Sequence, residues 1–277
     1  MSTDRIVVGV DGSEAASRAV DWALSWARAV GSPVTIIASE AVPAGKTAES
    51  PGLGERAQHV IDGELARLGE RSGEVEARAL VAHPVTALLG ASAEAGAVVV
   101  GTRGAGALQG SVVGSISGAV AASAQCPTVV LSPHSPTEFD PTGSIVIGFD
   151  GGESSLSAAR LAIGAAQAEG RVVRLLQGQA DVPAGADPLD PVVEALRAEY
   201  PDASIEFVTA AGTAVEALTE ASHEAAFVVM ASEGHRGVPR FLLGSNTRAV
   251  VQSAHAPVIV LTARSMDRPW PVRDDQG

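Results

Sequence analysis

Glycine and serine residues in the middle of the chain have the spacing of a phosphate-binding loop. Gly101-Thr102-Arg103-Gly104 follows the apolar run Ala97-Val98-Val99-Val100, and Gly114-Ser115 comes nine residues later, ahead of a stretch compatible with a helix. Glycines after a strand let backbone N–H groups approach an anion, and the positive end of the next helix dipole faces the same anion. Strand, loop, Gly-Ser and helix therefore stand in the order that phosphate binding requires.

The same arrangement recurs in the second half of the chain, which indicates a duplicated domain. Residues 6–14 match 145–153, 98–115 match 228–245, and 126–131 match 256–261. The boundary falls in the Pro/Ser/Thr-rich stretch 132–143, which favours neither strand nor helix. We expect a first domain over residues 1–133, a linker over 134–143, a second domain over 144–264 and a C-terminal tail over 265–277.

Composition narrows the partners and the compartment. The 32 acidic and 19 basic residues give a net charge of -13, so nucleic acids and anionic membrane surfaces are not expected partners. A single cysteine, Cys126, excludes an intrachain disulfide, and the chain has neither a signal-peptide core nor an apolar run of the roughly 20 residues that span a bilayer. These observations predict a cytoplasmic protein without membrane partners.

The elements that must position the loops follow from the alternation of short β-branched runs with longer Ala/Leu-rich amphipathic runs. That alternation is typical of βαβ units around a parallel sheet, and right-handed crossovers then predict an open twisted sheet in each half. The predicted strands cover residues 6–10, 34–39, 75–81, 97–101 and 128–131, then 145–149, 172–176, 204–208, 227–230 and 258–261. The predicted helices of the first half include one that ends at Gly31, followed by 55–71, 85–95 and 115–124.

One motif imitates a different phosphate site. Gly45-Lys46-Thr47 resembles the end of a P-loop, but Glu40 occupies the position of its first glycine, where an acid would repel phosphates. Pro51, with glycines on either side of Leu53, opposes the helix that a P-loop must open. We therefore predict that this segment is no P-loop.

The chain contains a strand ending in Val10-Asp11-Gly12-Ser13, a helix start at Pro84-Val85, a Gly-x-x-Gly-x9-Gly-Ser signature and a closing strand after Cys126-Pro127. Together these features resemble the universal stress protein family in its tandem form. The resemblance implies an α/β fold of two tandem doubly wound, Rossmann-like domains. Each would hold a five-stranded parallel sheet of order 3-2-1-4-5 flanked by helices. The nucleotide would lie across the carboxyl ends of strands 1 and 4, where the strand order reverses.

The resemblance also implies a ligand, ATP, which Mg²⁺ can accompany, and the residues that hold it in the first domain. Asp11 would accept hydrogen bonds from the ribose or adenine, and Ser39 would lie near the adenine plane. Arg103 either reaches a phosphate or is a solvated surface residue. The full set in the first domain is Gly9, Val10, Asp11, Ser39, Gly101, Arg103, Gly104, Gly114, Ser115, Ile116 and Ser117.

The second domain departs from this motif. Ala231 replaces the first loop glycine, and Gly152 replaces Ser13. If the position of Ala231 needs a positive φ or direct ligand contact, the added methyl weakens the second site. The expected residues there are Asp150, Ala231, Gly234, Gly244, Ser245, Asn246 and Thr247.

Structural alternatives stand beside these roles. The loop glycines could form ordinary tight turns, and Asp11 and Asp150 could simply cap the helices that follow. The histidines show no metal spacing, Cys126 suits a small packed hydrophobe, and Trp22 with Trp26, one helical turn apart, suits a helix–sheet or domain contact.

Three functions stay open: a nucleotide-sensing regulator that hydrolyses ATP slowly if at all, an adenine-nucleotide enzyme such as an adenylyl-transfer catalyst or ATPase, and a nucleotide-free scaffold. The first is favoured because no general base and no paired carboxylates for magnesium are evident. The resemblance further implies that the two fifth strands, 128–131 and 258–261, pair inside one molecule, and that whole chains form homo-oligomers.

Overall fold

The computed structural model describes residues 5–48, 50–102, 114–182, 184–185, 187–232 and 243–272, and strands alternate with helices through them. The strands are β1 (Ile6–Gly9), β2 (Val34–Glu40), β3 (Val75–Val81), β4 (Ala97–Gly101), β5 (Thr128–Leu131), β6 (Ser144–Gly148), β7 (Val172–Gly178), β8 (Ser204–Ala210), β9 (Ala225–Ala231) and β10 (Val258–Leu261). The helices are α1 (Glu14–Val30), α2 (Glu55–Leu68), α3 (Pro84–Ser92), α4 (Ser115–Ser123), α5 (Glu153–Glu169), α6 (Asp190–Glu199), α7 (Ala214–Ala221) and α8 (Ser245–Ser253).

The ten strands form one sheet in the order β3-β2-β1-β4-β5-β10-β9-β6-β7-β8. Neighbouring strands within each half are parallel. The halves join where β5 and β10 pair antiparallel, with Val129 opposite Ile259. Each half thus has the predicted five-stranded parallel sheet of order 3-2-1-4-5, and the predicted pairing of the fifth strands within one molecule is confirmed.

The ends of α1 follow from local sequence. Ser13 is its N-cap, with the side-chain oxygen accepting a hydrogen bond from the N–H of Ala16 at 3.2 Å. Gly31 ends the helix with φ 72°, a left-handed conformation that costs a glycine little, and its N–H donates to the carbonyl of Ala27. The predicted end of this helix is therefore confirmed.

Several other predicted boundaries differ from the structure by a few residues. The predicted helix 55–71 ends at Leu68, because Gly69 adopts φ 58° and the chain continues as a 3-10 helix. The helix predicted over 85–95 runs from Pro84, at the first helical turn, to Ser92. Strands β7 and β8 each extend two residues past the predicted ends, because their ladder continues through polar and small residues that an apolar pattern does not mark.

Helices cover both faces of the sheet. Buried residues of α1, α2, α5 and α6 form the core on one face, and those of α3, α4, α7 and α8 form the core on the other. Each core includes residues from both halves of the chain. This layered arrangement is the one expected for a doubly wound parallel sheet.

An aromatic cluster lies where the halves meet. Trp22 and Trp26 of α1 are fully buried, and both contact the ring of Phe227 of β9, at centroid distances of 5.9 and 5.7 Å. Phe139, between the halves, and Trp270, near the C-terminus, also contact Phe227. The predicted domain-contact role of the two tryptophans is therefore confirmed.

Two hydrogen bonds flank the β5–β10 pair in mirrored positions. The hydroxyl of Ser132 donates to the carbonyl oxygen of Ala254 at 2.6 Å, and that of Thr262 donates to the carbonyl oxygen of Ala124 at 2.8 Å. The residue that follows each fifth strand therefore binds the opposite half. Among the described residues, no helix is long and apolar enough to cross a membrane.

Candidate functional site

A cleft opens at the carboxyl ends of β1 and β2, close to the point where the strand order of the first half reverses. Its volume is about 630 Å³. Parallel α/β sheets bind ligands in this position. The walls come from β1, β2, the start of α2, the start of α3 and the start of α4: Val10, Asp11, Ala38, Ser39, Glu40, Ala41, Pro43, Arg56, Ala57, Val60, His83, Pro84, Val85, Ser115 and Ile116.

Five of the residues that the sequence predicts for the first site lie together in this cleft, namely Val10, Asp11, Ser39, Ser115 and Ile116. Arg103 and Gly104 lie outside the described residues. Apolar walls with a few convergent polar groups are typical of a small-molecule site.

Asp11 lies in a tight turn between β1 and α1. Its Oδ1 accepts a hydrogen bond from the N–H of Ser13 at 3.0 Å, and Gly12 has φ 82°, a conformation that favours glycine. The N-cap of α1 is Ser13, so the alternative that Asp11 itself caps this helix is wrong. The turn instead holds the Asp11 carboxylate at the cleft wall, because the hydrogen bond from the backbone N–H of Ser13 fixes the side chain.

The ends of the predicted phosphate loop are joined by a hydrogen bond. The N–H of Gly114 donates to the carbonyl oxygen of Thr102 at 2.7 Å. Ser117 is buried beneath this junction, and its hydroxyl lies within hydrogen-bond distance of the carbonyl of Gly114 at 3.2 Å. Ser115 and Ile116 therefore present the start of α4 to the cleft, whereas the hydroxyl of Ser117 supports the loop ends.

The glycines of β1 and β4 are explained by packing. A Cβ on Gly9 would lie 2.9 Å from a methyl of Leu88, and one on Gly101 would lie 2.8 Å from the carbonyl oxygen of Ala15. Neither glycine has a positive φ. The close approach of α3 and α1 to the sheet thus explains why glycine stands at both positions, without reference to a ligand.

Glu40 shows why the Gly45-Lys46-Thr47 segment is not a P-loop. Its Oε2 accepts hydrogen bonds from the N–H groups of Gly54 and Arg56, at 3.0 and 3.2 Å. The carboxylate thus occupies the N-terminus of α2, the position where a phosphate would bind. The sequence prediction that this segment is no P-loop agrees with this geometry.

Two residues that line the first cleft were not predicted from the sequence to do so. His83 is the N-cap of α3, and its Nδ1 accepts a hydrogen bond from the N–H of Val85 at 3.3 Å. Arg56 lines the same cleft, and within the described residues its guanidinium makes no ion pair. Neither belongs to a local motif; the only available signal is that each stands at the start of a helix after a strand.

The second half has a corresponding but smaller cleft of about 280 Å³. Asp150 forms a similar turn, with Oδ1 accepting from the N–H of Gly152 at 2.9 Å and from the hydroxyl of Ser155 at 2.5 Å. Gly152 stands at the N-cap of α5, so the alternative that Asp150 caps this helix is wrong. Of the predicted residues, Asp150, Ala231, Gly244, Ser245, Asn246 and Thr247 line this cleft, and Gly234 lies outside the described residues.

The second cleft differs from the first in the residue beneath it and in the charged residues on its wall. The Sδ of Met230 would lie 2.7 Å from a Cβ on Gly148, at the position where Val100 lies near Gly9 in the first half. Asp181 accepts a hydrogen bond from the N–H of Ala214 at 2.6 Å, which places a carboxylate at the start of α7. The longer side chain beneath the cleft, and the lack of a basic residue among its described lining residues where the first cleft has Arg56, thus set it apart from the first.

The backbone reason for expecting Ala231 to obstruct a ligand is not met. No described non-glycine residue has a positive φ, Ala231 included. At the matching Gly101, an added methyl would point at Ala15 of α1. The difference between the clefts therefore rests on Met230, and on the lack of a described basic lining residue such as Arg56, more than on the methyl of Ala231.

The described residues offer neither a reactive thiol nor a cluster of metal-binding side chains. Burial raises the pKa of the Cys126 thiol to about 12, so the thiol stays protonated near neutral pH. Among the described residues, no cluster of three or more His, Cys, Asp or Glu side chains could hold a metal ion.

Comparison with known proteins places the chain in a family. A sequence model of the universal stress protein family matches residues 2–132 and again residues 142–262. The universal stress proteins Rv1996 and Rv2623 of Mycobacterium tuberculosis are both 28% identical to this chain over 92% of its length, covering 94% and 95% of their own.

The solved structure of a universal stress protein from Archaeoglobus fulgidus superimposes with a TM-score of 0.71 at 19% identity, covering 95% of this chain and 99% of that one. At this identity the match supports the fold alone. The two matches of the family model, one to each half of the ten-stranded sheet, extend over most of the sequence. The chain therefore belongs to the universal stress protein family, with two copies of its domain in one molecule.

Proposed function

We propose that the first cleft binds ATP and that the protein is a nucleotide-sensing regulator of a stress or growth-arrest response. The observation that carries the proposal is that Asp11, Ser39 and Ser115, from three separate elements, line one cleft of about 630 Å³. A carboxylate accepts hydrogen bonds from ribose hydroxyls or the adenine amino group, and the N-terminus of α4 favours phosphates. The three residues thus offer partners for the ribose, base and phosphates of one nucleotide.

Slow hydrolysis at most is expected from this cleft. Among its described lining residues the carboxylates are Asp11 and Glu40, and Glu40 already accepts two backbone N–H groups. A general base must be free to reach the attacking water, and phosphoryl transfer relies on groups positioned around the γ-phosphate. Mg²⁺ would enter with the triphosphate, because this ion binds mainly through phosphates and retained waters.

The second cleft is proposed to bind ATP more weakly. It is smaller, Met230 lies beneath it, and its described lining residues include the carboxylates Asp150 and Asp181 but no basic residue, whereas Arg56 lines the first cleft. Without a positive charge to offset the carboxylates, the wall opposes an anionic ligand more strongly. Occupancy of the first cleft would then follow ATP at concentrations that leave the second cleft empty.

Released nucleotide is the direct test. Purified protein is denatured, and the supernatant is separated by chromatography to identify any nucleotide. Nucleotide-free protein is then titrated with ATP and with GTP by calorimetry. We expect adenine nucleotide in the supernatant and tighter binding of ATP than of GTP. Absence of both would refute the proposal, and ATP turnover at about 1 s⁻¹ or faster would favour an enzyme instead.

A further inference from the structure

Three histidine rings meet at one corner between the halves of the protein. His134 follows β5, His223 follows α7, and His255 lies in the turn between α8 and β10. The rings of His223 and His255 stack at a centroid distance of 3.8 Å with 26° between their planes, and the ring of His134 lies 5.2 Å from that of His255. Three separate segments, from both halves, thus bring their imidazoles together.

One of these histidines, His134, lies beside a hydrogen bond that joins the halves. The N–H of His134 donates to the hydroxyl oxygen of Ser132 at 3.0 Å, and that hydroxyl donates to the carbonyl of Ala254. Within the second half, the backbone N–H of His255 donates to the hydroxyl oxygen of Ser222 at 2.8 Å. The ring contact between His134 and His255 is thus a contact between the halves, beside the hydrogen bond from Ser132 to Ala254.

The mirrored corner of the duplicated fold has no imidazole. There Gln125 stands where the second half has His255, and its N–H donates to the hydroxyl oxygen of Ser92 at 3.0 Å. The guanidinium of Arg268 binds the carbonyl oxygens of Ser92, Ala93 and Gln125, at 3.2, 2.8 and 3.4 Å. Because arginine stays charged at all working pH values, the charge of Arg268 in this corner does not change with pH.

The two corners differ in how their charge depends on pH. Neutral imidazoles stack without repulsion, whereas a proton on His255 places a positive charge against both neighbouring rings. Desolvation, His223 and His134 lower the pKa of His255, and Glu220 of α7 is the neighbouring carboxylate that opposes them. Glu224, next to His223, lies 3.9 Å from Arg174 instead.

We infer that His134, His223 and His255 form a pH-sensitive contact between the halves. At neutral pH this contact holds the segment after β5 against the second half, and in acid it weakens. The folded protein binds a proton at His255 less readily than the unfolded chain, whose histidine pKa is about 6.5. Stability from this contact is therefore complete above about pH 6.5 and is lost as the pH falls below that value. The inference does not depend on a bound nucleotide.

His255→Gln is the matched test, because glutamine already occupies the equivalent place in the other corner. Thermal unfolding is measured at pH 7.5 and pH 5.5 for the wild type, for His255→Gln and for His59→Gln, which removes an exposed histidine of α2. Between the two pH values, we expect the wild type and His59→Gln to lose about 1 to 3 °C more in Tm than His255→Gln does. Equal losses in all three proteins would overturn the inference.

A second measurement tests directly how readily the chain next to the three histidines opens. Limited proteolysis within the exposed residues 136–138 is followed at both pH values, and the cleavage rate of the wild type is divided by that of His255→Gln. The ratio removes the pH dependence of the protease itself. We expect it to rise at pH 5.5, and a ratio that stays constant would contradict the inference even if the Tm values differ.

Discussion

Trp22 of α1 meets Phe227 of β9 edge to face, with ring centroids 5.9 Å apart, although the two residues belong to different halves of the chain. Both side chains are almost completely buried. Such aromatic contacts contribute about 0.5–1.5 kcal/mol beyond the area that they bury. The halves therefore share a packed interior in addition to the β5–β10 ladder, and their association should not depend on the covalent linker.

Cleavage of the linker should leave the halves together. A protease site introduced at the exposed residues 136–138 is cut, and the product is diluted and examined by size-exclusion chromatography under native conditions. We expect one peak at the size of the intact chain, because strand pairing and the aromatic cluster persist. Trp22→Ala in the cut protein should promote dissociation, since loss of a buried tryptophan costs about 3–5 kcal/mol. Separation of the unmodified halves at once would contradict the shared interior.

The fold was predictable because each half repeats the same alternation of strand and helix, and the duplicated motif segments confirm one another. Boundaries were less accurate where a single backbone conformation decides them, as at Gly69. Asp11 and Ser115 were found because each lies within a local motif. Arg56 and His83 could not be found in this way, because only the packing of α2 and α3 against the sheet brings them to the cleft.

The difference between the clefts was predictable only in part. The sequence marks Ala231 as a departure from the motif, but the structure directs attention to its neighbour Met230, which lies against Gly148. That contact joins two strands of the sheet, so no local pattern shows it. The direction of a methyl relative to a cleft likewise needs the backbone, as Gly101 and Ala15 illustrate.

Asp11→Asn should weaken ATP binding at the first cleft by about tenfold. The amide oxygen can still accept from the N–H of Ser13, so the turn is kept while the negative charge that would bind ribose hydroxyls is lost. Asp150→Asn is the matched change in the second half. Calorimetry should show the higher-affinity binding lost in Asp11→Asn and retained in Asp150→Asn; the reverse result would assign that binding to the second cleft.

Met230→Val should strengthen ATP binding at the second cleft more than Ala231→Gly does. Valine is the residue of the first half at this position, and the shorter side chain frees space beneath Gly148. Removal of the methyl of Ala231 should change the affinity by less than about twofold, because a methyl at the matching position faces α1. Titration of both variants in the Asp11→Asn background isolates the second cleft. Tighter binding in Ala231→Gly alone would restore the role first expected of Ala231.

Cys126 should resist alkylation while the protein is folded. Burial raises its pKa to about 12, so the reactive thiolate is scarce at pH 8, and the side chain is inaccessible as well. Iodoacetamide labelling followed by mass spectrometry should give no modified protein in native buffer and complete modification in denaturant. Rapid labelling of the native protein would show that the region around Cys126 opens readily.

Arg56→Met should weaken nucleotide binding at the first cleft about three- to tenfold, whereas Arg56→Lys should recover only part of the loss. Arg56 lines the cleft beside apolar Ala57 and Val60, and within the described residues no carboxylate pairs with its guanidinium. A planar guanidinium can stack on a nucleobase, which an ammonium group does less well. The backbone N–H that Arg56 donates to Glu40 is unaffected by either change, so α2 keeps its N-terminal contact.

Arg78→Met, on the edge strand β3, serves as the control for loss of one positive charge. Calorimetry with ATP and with ribose triphosphate separates the two possible roles, since a stacking residue loses its effect when the base is absent. If Arg56→Met weakens both ligands equally, its side chain acts on the phosphates instead.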